Sequence, residues 1–115
     1  MAGMSVVETR DDLTQIALSG RLDIEGVHAI ESRFTTYAAA RRRPTIVDIS
    51  NVAFLASLGL GMIVGAAKGL NRQGRKLILV APTPMLERVL SAAAIESIIP
   101  IARTTEDALL LLDQR

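Results

Sequence analysis

Apolar positions in this chain fall into three kinds of pattern, and together they predict the whole fold. Ser5 to Thr9 and Leu13 to Ser19 are short, apolar-containing runs separated by Arg10-Asp11-Asp12, a turn signal, so the chain is predicted to open with a β-hairpin. Gly20-Arg21-Leu22-Asp23 then leads into a helix. Asp23 is placed as N-cap because its carboxylate can accept a first-turn backbone N–H. Val27, Ile30, Phe34 and Tyr37 recur at spacings of three and four, which puts them on one helical stripe reaching Ala40.

After Pro44 the pattern changes. Thr45-Ile46-Val47-Asp48-Ile49 is β-branched and nearly continuous in apolarity, as a central strand covered on both faces should be. A helix follows from Ser57, where serine is expected as N-cap, to near Gly74. Lys76 to Val80 is a second continuous strand. Thr83 and Pro84 mark the N-cap and first position of a further helix, with Leu86, Val89, Leu90 and Ala93 as its stripe. Ile98 to Ile101 is a weak strand that Pro100 confines to a sheet edge. Thr104 caps a last helix carrying Ala108, Leu109, Leu111 and Leu112. The order ββαβαβαβα predicts an α/β fold in one domain over residues 1–115, with a mixed, mostly parallel sheet of about five strands and about four helices.

The helix after Ser57 has an unusual surface. At about 100° per residue, Leu60, Ile63, Ala67 and Leu70 share the core side, while Ser57, Gly61, Lys68 and Arg72 share the other. Gly65 lies next to that outer strip, and Leu58, Met62 and Gly69 flank it. Each such glycine costs on the order of 1 kcal/mol relative to alanine. A bare strip at that cost points to the close approach of another helix, either within the domain or from a partner. A phosphate on Ser57 would sit at the positive end of the helix dipole and would add nearly two negative charges to an apolar docking face.

Composition narrows the chemistry. Half of the residues are hydrophobic, but Phe34, Tyr37 and Phe54 are the only aromatics, so the core is aliphatic and stacking platforms for single-stranded nucleic acid are missing. A net charge of +1 makes no electrostatic case for nucleic acid or an anionic membrane, and Arg41-Arg42-Arg43 reads as a solvated loop. Without cysteine there is no disulfide or thiolate chemistry, which suits a cytoplasmic protein. No signal peptide or membrane-inserting segment is expected. His28 is the sole histidine, no metal-ligand cluster occurs, and neither Gly59-Leu60-Gly61 nor Gly65-Ala66-Ala67-Lys68-Gly69 meets a nucleotide-binding pattern. No cofactor and no catalytic residue are expected, so the chain reads as a non-enzyme.

Three segments resemble the STAS domain family, the fold of bacterial anti-sigma factor antagonists, over nearly the whole length. Leu18-Ser19-Gly20-Arg21-Leu22-Asp23 resembles the family's Leu-x-Gly-x-Leu-Asp. Ile46-Val47-Asp48-Ile49-Ser50 with Phe54-Leu55-Ala56-Ser57-Leu58-Gly59-Leu60-Gly61 resembles its central strand and Asp-Ser-Ser-Gly-Leu-Gly switch. Gly74-Arg75-Lys76-Leu77-Ile78-Leu79-Val80 with Val89-Leu90 resembles the later strand and helix. The resemblance implies partner switching: the unphosphorylated domain binds an anti-sigma factor that is also a serine kinase, phosphorylation of Ser57 ends that complex, and a phosphatase restores it. On this reading Asp23, Leu58, Gly59, Gly61, Met62 and Gly65 meet the partner. The alternative implied by the family is an accessory subunit of a membrane ABC transport complex for lipid. Ala56 and Leu58 depart from the pattern, replacing the family's aspartate and second serine.

Overall fold

The structure is a computed structural model describing residues 2–10 and 12–113. Its elements follow the predicted order. Strands β1 (Gly3–Arg10) and β2 (Leu13–Leu22) form an antiparallel hairpin, followed by α1 (Ile24–Thr35) and a π-helical turn, Thr36–Ala40. Then come β3 (Thr45–Leu55), α2 (Ser57–Asn71), β4 (Leu77–Val80), α3 (Pro84–Ala92), a 3-10 turn at Ile95–Ser97, β5 (Ile101–Ala102) and α4 (Thr105–Asp113). Asp11, in the expected hairpin turn, lies outside the described residues.

The five strands lie in sequence order, β1-β2-β3-β4-β5, and every pairing after the hairpin is parallel. Successive right-handed crossovers between sequential parallel strands put their helices on one face. There Ile30 and Phe34 of α1, Ile63 and Leu70 of α2, and Leu86 and Leu90 of α3 pack on Ile16, Leu18, Val47, Ile49, Leu77 and Leu79. The last helix returns to the opposite face, where Ala108 joins Leu13, Ile46, Ile78, Val80 and Ala102. Strand β4 is therefore buried on both sides, which is why its four residues are all apolar.

Side-chain caps fall where residue type predicts them at three helices. Asp23 accepts from Gly26 N–H at 2.9 Å, Thr83 from Leu86 N–H at 3.3 Å, and Thr104 from Asp107 N–H at 3.1 Å. Several boundaries differ from expectation. Strand β2 continues to Leu22 and β3 to Leu55, because the two remain paired as far as Leu22–Leu55 after β4 has ended opposite Asp48. That half of β3 has one open face, so its polar positions mimic a loop. Helix α2 ends at Asn71 rather than near Gly74, and the weak strand is displaced to Ile101–Ala102.

Two buried side-chain polar atoms stand without a hydrogen-bond partner among the described residues, Arg41 Nη1 and Thr14 Oγ1, and Thr14 is fully buried on β2. A buried hydroxyl in that state costs about 1–3 kcal/mol. Thr14→Val keeps the shape and removes the hydroxyl, so it should raise unfolding free energy by about 1 kcal/mol in urea titration. Destabilisation by a similar amount would show that the hydroxyl is satisfied.

Candidate functional site

The C-terminal ends of the parallel strands make one rim of the sheet, the usual place for binding in open α/β folds. That rim is closely packed where β2 and β3 end side by side. Ala56 N–H donates to the Leu22 carbonyl at 3.1 Å, tying the start of α2 to the end of β2. A Cβ on Gly59 would lie 2.8 Å from the same carbonyl oxygen and 3.0 Å from the Leu22 and Leu55 side chains. A Cβ on Gly26 would overlap the Arg21 carbonyl. Both helices thus start hard against the Arg21–Leu22 backbone, and only glycine permits the contact.

This packing sets Asp23 and Ser57 on neighbouring segments. Asp23 caps α1, and its carboxylate also lies 3.5 Å from Arg21 Nε. The hydrogen bond from the Gly26 amide holds the Asp23 carboxyl below its ordinary pKa; desolvation opposes it, and the Arg21 guanidinium adds a lesser lowering effect. It is therefore an anion at neutral pH. The Arg21 guanidinium also rests over the Phe54 ring, 4.4 Å from its centroid.

Ser57 is exposed, and its hydroxyl makes no hydrogen bond with a described residue. It is the first helical residue rather than the N-cap. Ala56 holds the cap position in extended geometry and offers no side-chain acceptor, so α2 begins without a side-chain cap. The tie between Ala56 and Leu22 fixes this register. His28 is exposed on α1, and no hydrogen bond joins it to Ser57.

Around Ser57 the predicted surface is assembled with one correction. Leu58 is exposed, Met62 is half-buried, and Gly61 and Gly65 are exposed with nothing within 4 Å of a Cβ built on either. The glycines floor a shallow groove of about 210 Å³ whose other wall is Glu31, Thr35 and Ala39. Among the described residues no helix fills it, which removes the intramolecular reason for those glycines. Gly59, in contrast, is buried and faces β2. It shapes the site from beneath and presents no surface of its own. The buried stripe of α2 is Gly59, Ile63, Ala66, Ala67 and Leu70, with Leu60 only half-buried, so the helix is turned slightly from the expected orientation.

Two apolar side chains were missed. Ile24 is 63 % exposed immediately after the Asp23 cap, and Phe54 is 36 % exposed at the end of β3. With Leu58 at 44 %, three of the large exposed hydrophobics stand on the segments meeting at this rim. The signal for Phe54 was its rarity as an aromatic; Ile24 had none, because an apolar residue in a first turn commonly packs inward.

Comparison with known proteins fits this geometry. The family profile described as STAS domain matches residues 4–108. The chain belongs to the STAS domain family. Among curated relatives of this STAS domain, the anti-sigma-B factor antagonist of Staphylococcus aureus is 26 % identical over 98 residues, covering 85 % of this chain and 91 % of that protein. An anti-sigma factor antagonist from Mycobacterium paratuberculosis superposes with a TM-score of 0.87 at 24 % identity, covering 99 % of this chain and 96 % of the other. The phosphorylated form of the Bacillus cell fate determinant SpoIIAA gives a TM-score of 0.71 at 21 % identity, covering 95 % and 98 %. Those two likenesses establish the STAS fold.

The packing predicts opposite effects at neighbouring positions of α2, read by denaturant unfolding. Ala56→Asp supplies the missing cap and should stabilise by about 1 kcal/mol. Gly65→Ala, facing open space, should stabilise by roughly 0.5–1 kcal/mol. Gly59→Ala should destabilise by about 1–3 kcal/mol through overpacking on Leu22. A stabilising Gly59→Ala would contradict the packing described.

Proposed function

We propose that this STAS domain is an anti-sigma factor antagonist, a non-enzymatic protein that acts by binding. Its partner on this reading is an anti-sigma factor that is also a serine kinase. The docking face comprises Ser57, Leu58, Gly61, Met62 and Gly65 of α2, with Asp23 on the adjoining turn. The observation that carries the proposal is the open glycine groove: Gly61 and Gly65 weaken α2, and among the described residues nothing lies within 4 Å of a Cβ built on either. A partner's backbone can approach such a floor closely, and exposed Leu58 and Ile24 stand on the two helices that wall it.

The switch follows from where Ser57 stands. Its hydroxyl is exposed at the head of α2, whose dipole and uncapped first turn favour a negative group. A phosphate there leaves the fold intact while placing nearly two charges beside Leu58 and the groove, where docking would have to desolvate them. The Ala56 side chain removes the acidic neighbour that the STAS pattern places before the serine, so a kinase acting here recognises the hydroxyl in an apolar setting. A phosphatase restores the binding form.

Ser57→Asp should weaken the complex with a kinase-type anti-sigma factor on the order of thirtyfold or more by calorimetry, while Ser57→Ala binds like wild type. Incubation with that factor and ATP should put one phosphate on Ser57, read by peptide mass analysis. Wild-type affinity in Ser57→Asp would sink the switch.

A further inference from the structure

The net charge of +1 conceals how the charges are distributed. The loop entering β3 is Arg41-Arg42-Arg43-Pro44, and the loop entering β4 carries Arg72, Arg75 and Lys76. Strands β3 and β4 are neighbours, so the two loops lie side by side: Thr45 N–H donates to the Lys76 carbonyl at 2.9 Å, and Arg75 Nε to the Arg42 carbonyl at 3.3 Å. Six of the thirteen lysines and arginines are thus gathered in two touching loops that contain no acidic residue. Arg42, Arg72, Arg75 and Lys76 are exposed, while Arg41 is half-buried against Tyr37. Arg43 and Lys76 also make contacts within the chain, as does Asp12 at the hairpin turn of the same rim. Asp113 at the end of α4 and Glu96 in the 3-10 turn before β5 also belong to this rim, so its remaining positive field rests on Arg42, Arg72 and Arg75.

The opposite rim is acidic in balance, with Asp23, Glu25, Glu87, Glu106 and Asp107 against Arg21, Arg88 and Arg103. The 11 residues of β3 separate the two rims, a span of roughly 33 Å at strand rise. That is about four Debye lengths at physiological ionic strength, so the acidic rim does not cancel the basic one at close range. Pairing with helix dipoles accounts for Arg41 and Arg72, which are the C-terminal caps of the π-helical turn and α2. It does not account for Arg42 and Arg75.

We infer that this basic rim associates peripherally with an anionic lipid bilayer surface, holding the Ser57 rim away from the membrane. Three observations favour a bilayer over other polyanions. Both loops follow helix C-terminal ends, whose carbonyls oppose a single tightly held phosphate, so attraction has to come from a summed field over a broad surface. Neither loop carries an aromatic residue to stack on a base. The cations are spread over the adjoining ends of neighbouring strands, a rim that meets a plane, with no helix presented for a DNA groove.

The test is vesicle co-sedimentation of the full chain. Wild type should pellet with vesicles of equal parts phosphatidylglycerol and phosphatidylcholine, stay in solution with phosphatidylcholine alone, and dissociate as salt rises from about 0.1 M to about 1 M. Neutralising three cations in Arg42→Gln/Arg72→Gln/Arg75→Gln should lower vesicle affinity on the order of a hundredfold, with the folded circular dichroism spectrum retained. Glu106→Gln on the acidic rim should leave vesicle binding unchanged. Equal pelleting with both vesicle types, or a triple variant that binds like wild type, overturns the inference. Tighter binding to duplex DNA than to the anionic vesicles at the same salt also overturns it, in favour of nucleic acid.

Discussion

Everything at the candidate site depends on how closely two helices approach one short piece of strand. The Arg21–Leu22 backbone at the end of β2 meets the first turn of α1 through Gly26 and the first turn of α2 through Gly59, and Ala56 N–H holds the Leu22 carbonyl. A buried carbonyl in such a position needs its donor, and a side chain at either glycine would force the helices away. Moving them outward by a methyl group would separate the Asp23 turn from the Ser57 turn. The site's geometry is therefore a consequence of backbone packing, and its exposed residues are free to vary around it. The side chains of Ala56 and Leu58 fit that description: both lie at the start of α2, and the tie from Ala56 to Leu22 is made by backbone alone.

The same constraint separates what could be read from the sequence from what could not. Continuous apolar runs revealed β4 and the start of β3 because both faces of those segments are covered. Polar first residues revealed the caps at Asp23, Thr83 and Thr104 because a short acceptor next to free amides has a local purpose. The far half of β3 was hidden because it is paired on one side and open on one face, so its composition resembles a loop. Ser57 stands one position past the cap, since an extended Ala56 held by Leu22 occupies the cap position and offers no side-chain acceptor. Gly59 differs from Gly61 and Gly65 only in the packing partner, and no sequence spacing reports that a strand carbonyl sits behind one glycine and open space in front of the others.

The molecule is also divided end to end. Strand C-termini and helix N-termini gather at the Ser57 rim, where first-turn amides and an exposed hydroxyl favour negative charge. The other rim receives helix C-termini and carries the arginines of two adjoining loops. A docking surface at one end and a basic end about a strand's length away can operate together, because screening keeps their fields separate. On the proposed function, binding needs no catalytic group: the groove between α1 and α2 would supply the contact, and the Ser57 hydroxyl near it would control the charge.

The most direct test of the docking claim is the amide chemical-shift footprint of an ATP-binding anti-sigma factor on the isotopically labelled domain. The account predicts perturbation at Asp23 and Ile24, at Phe54, and along Ser57 to Gly65, with the 41–43 and 72–76 loops unaffected. A footprint confined to α3 and α4, with Gly61 and Gly65 unmoved, would contradict it.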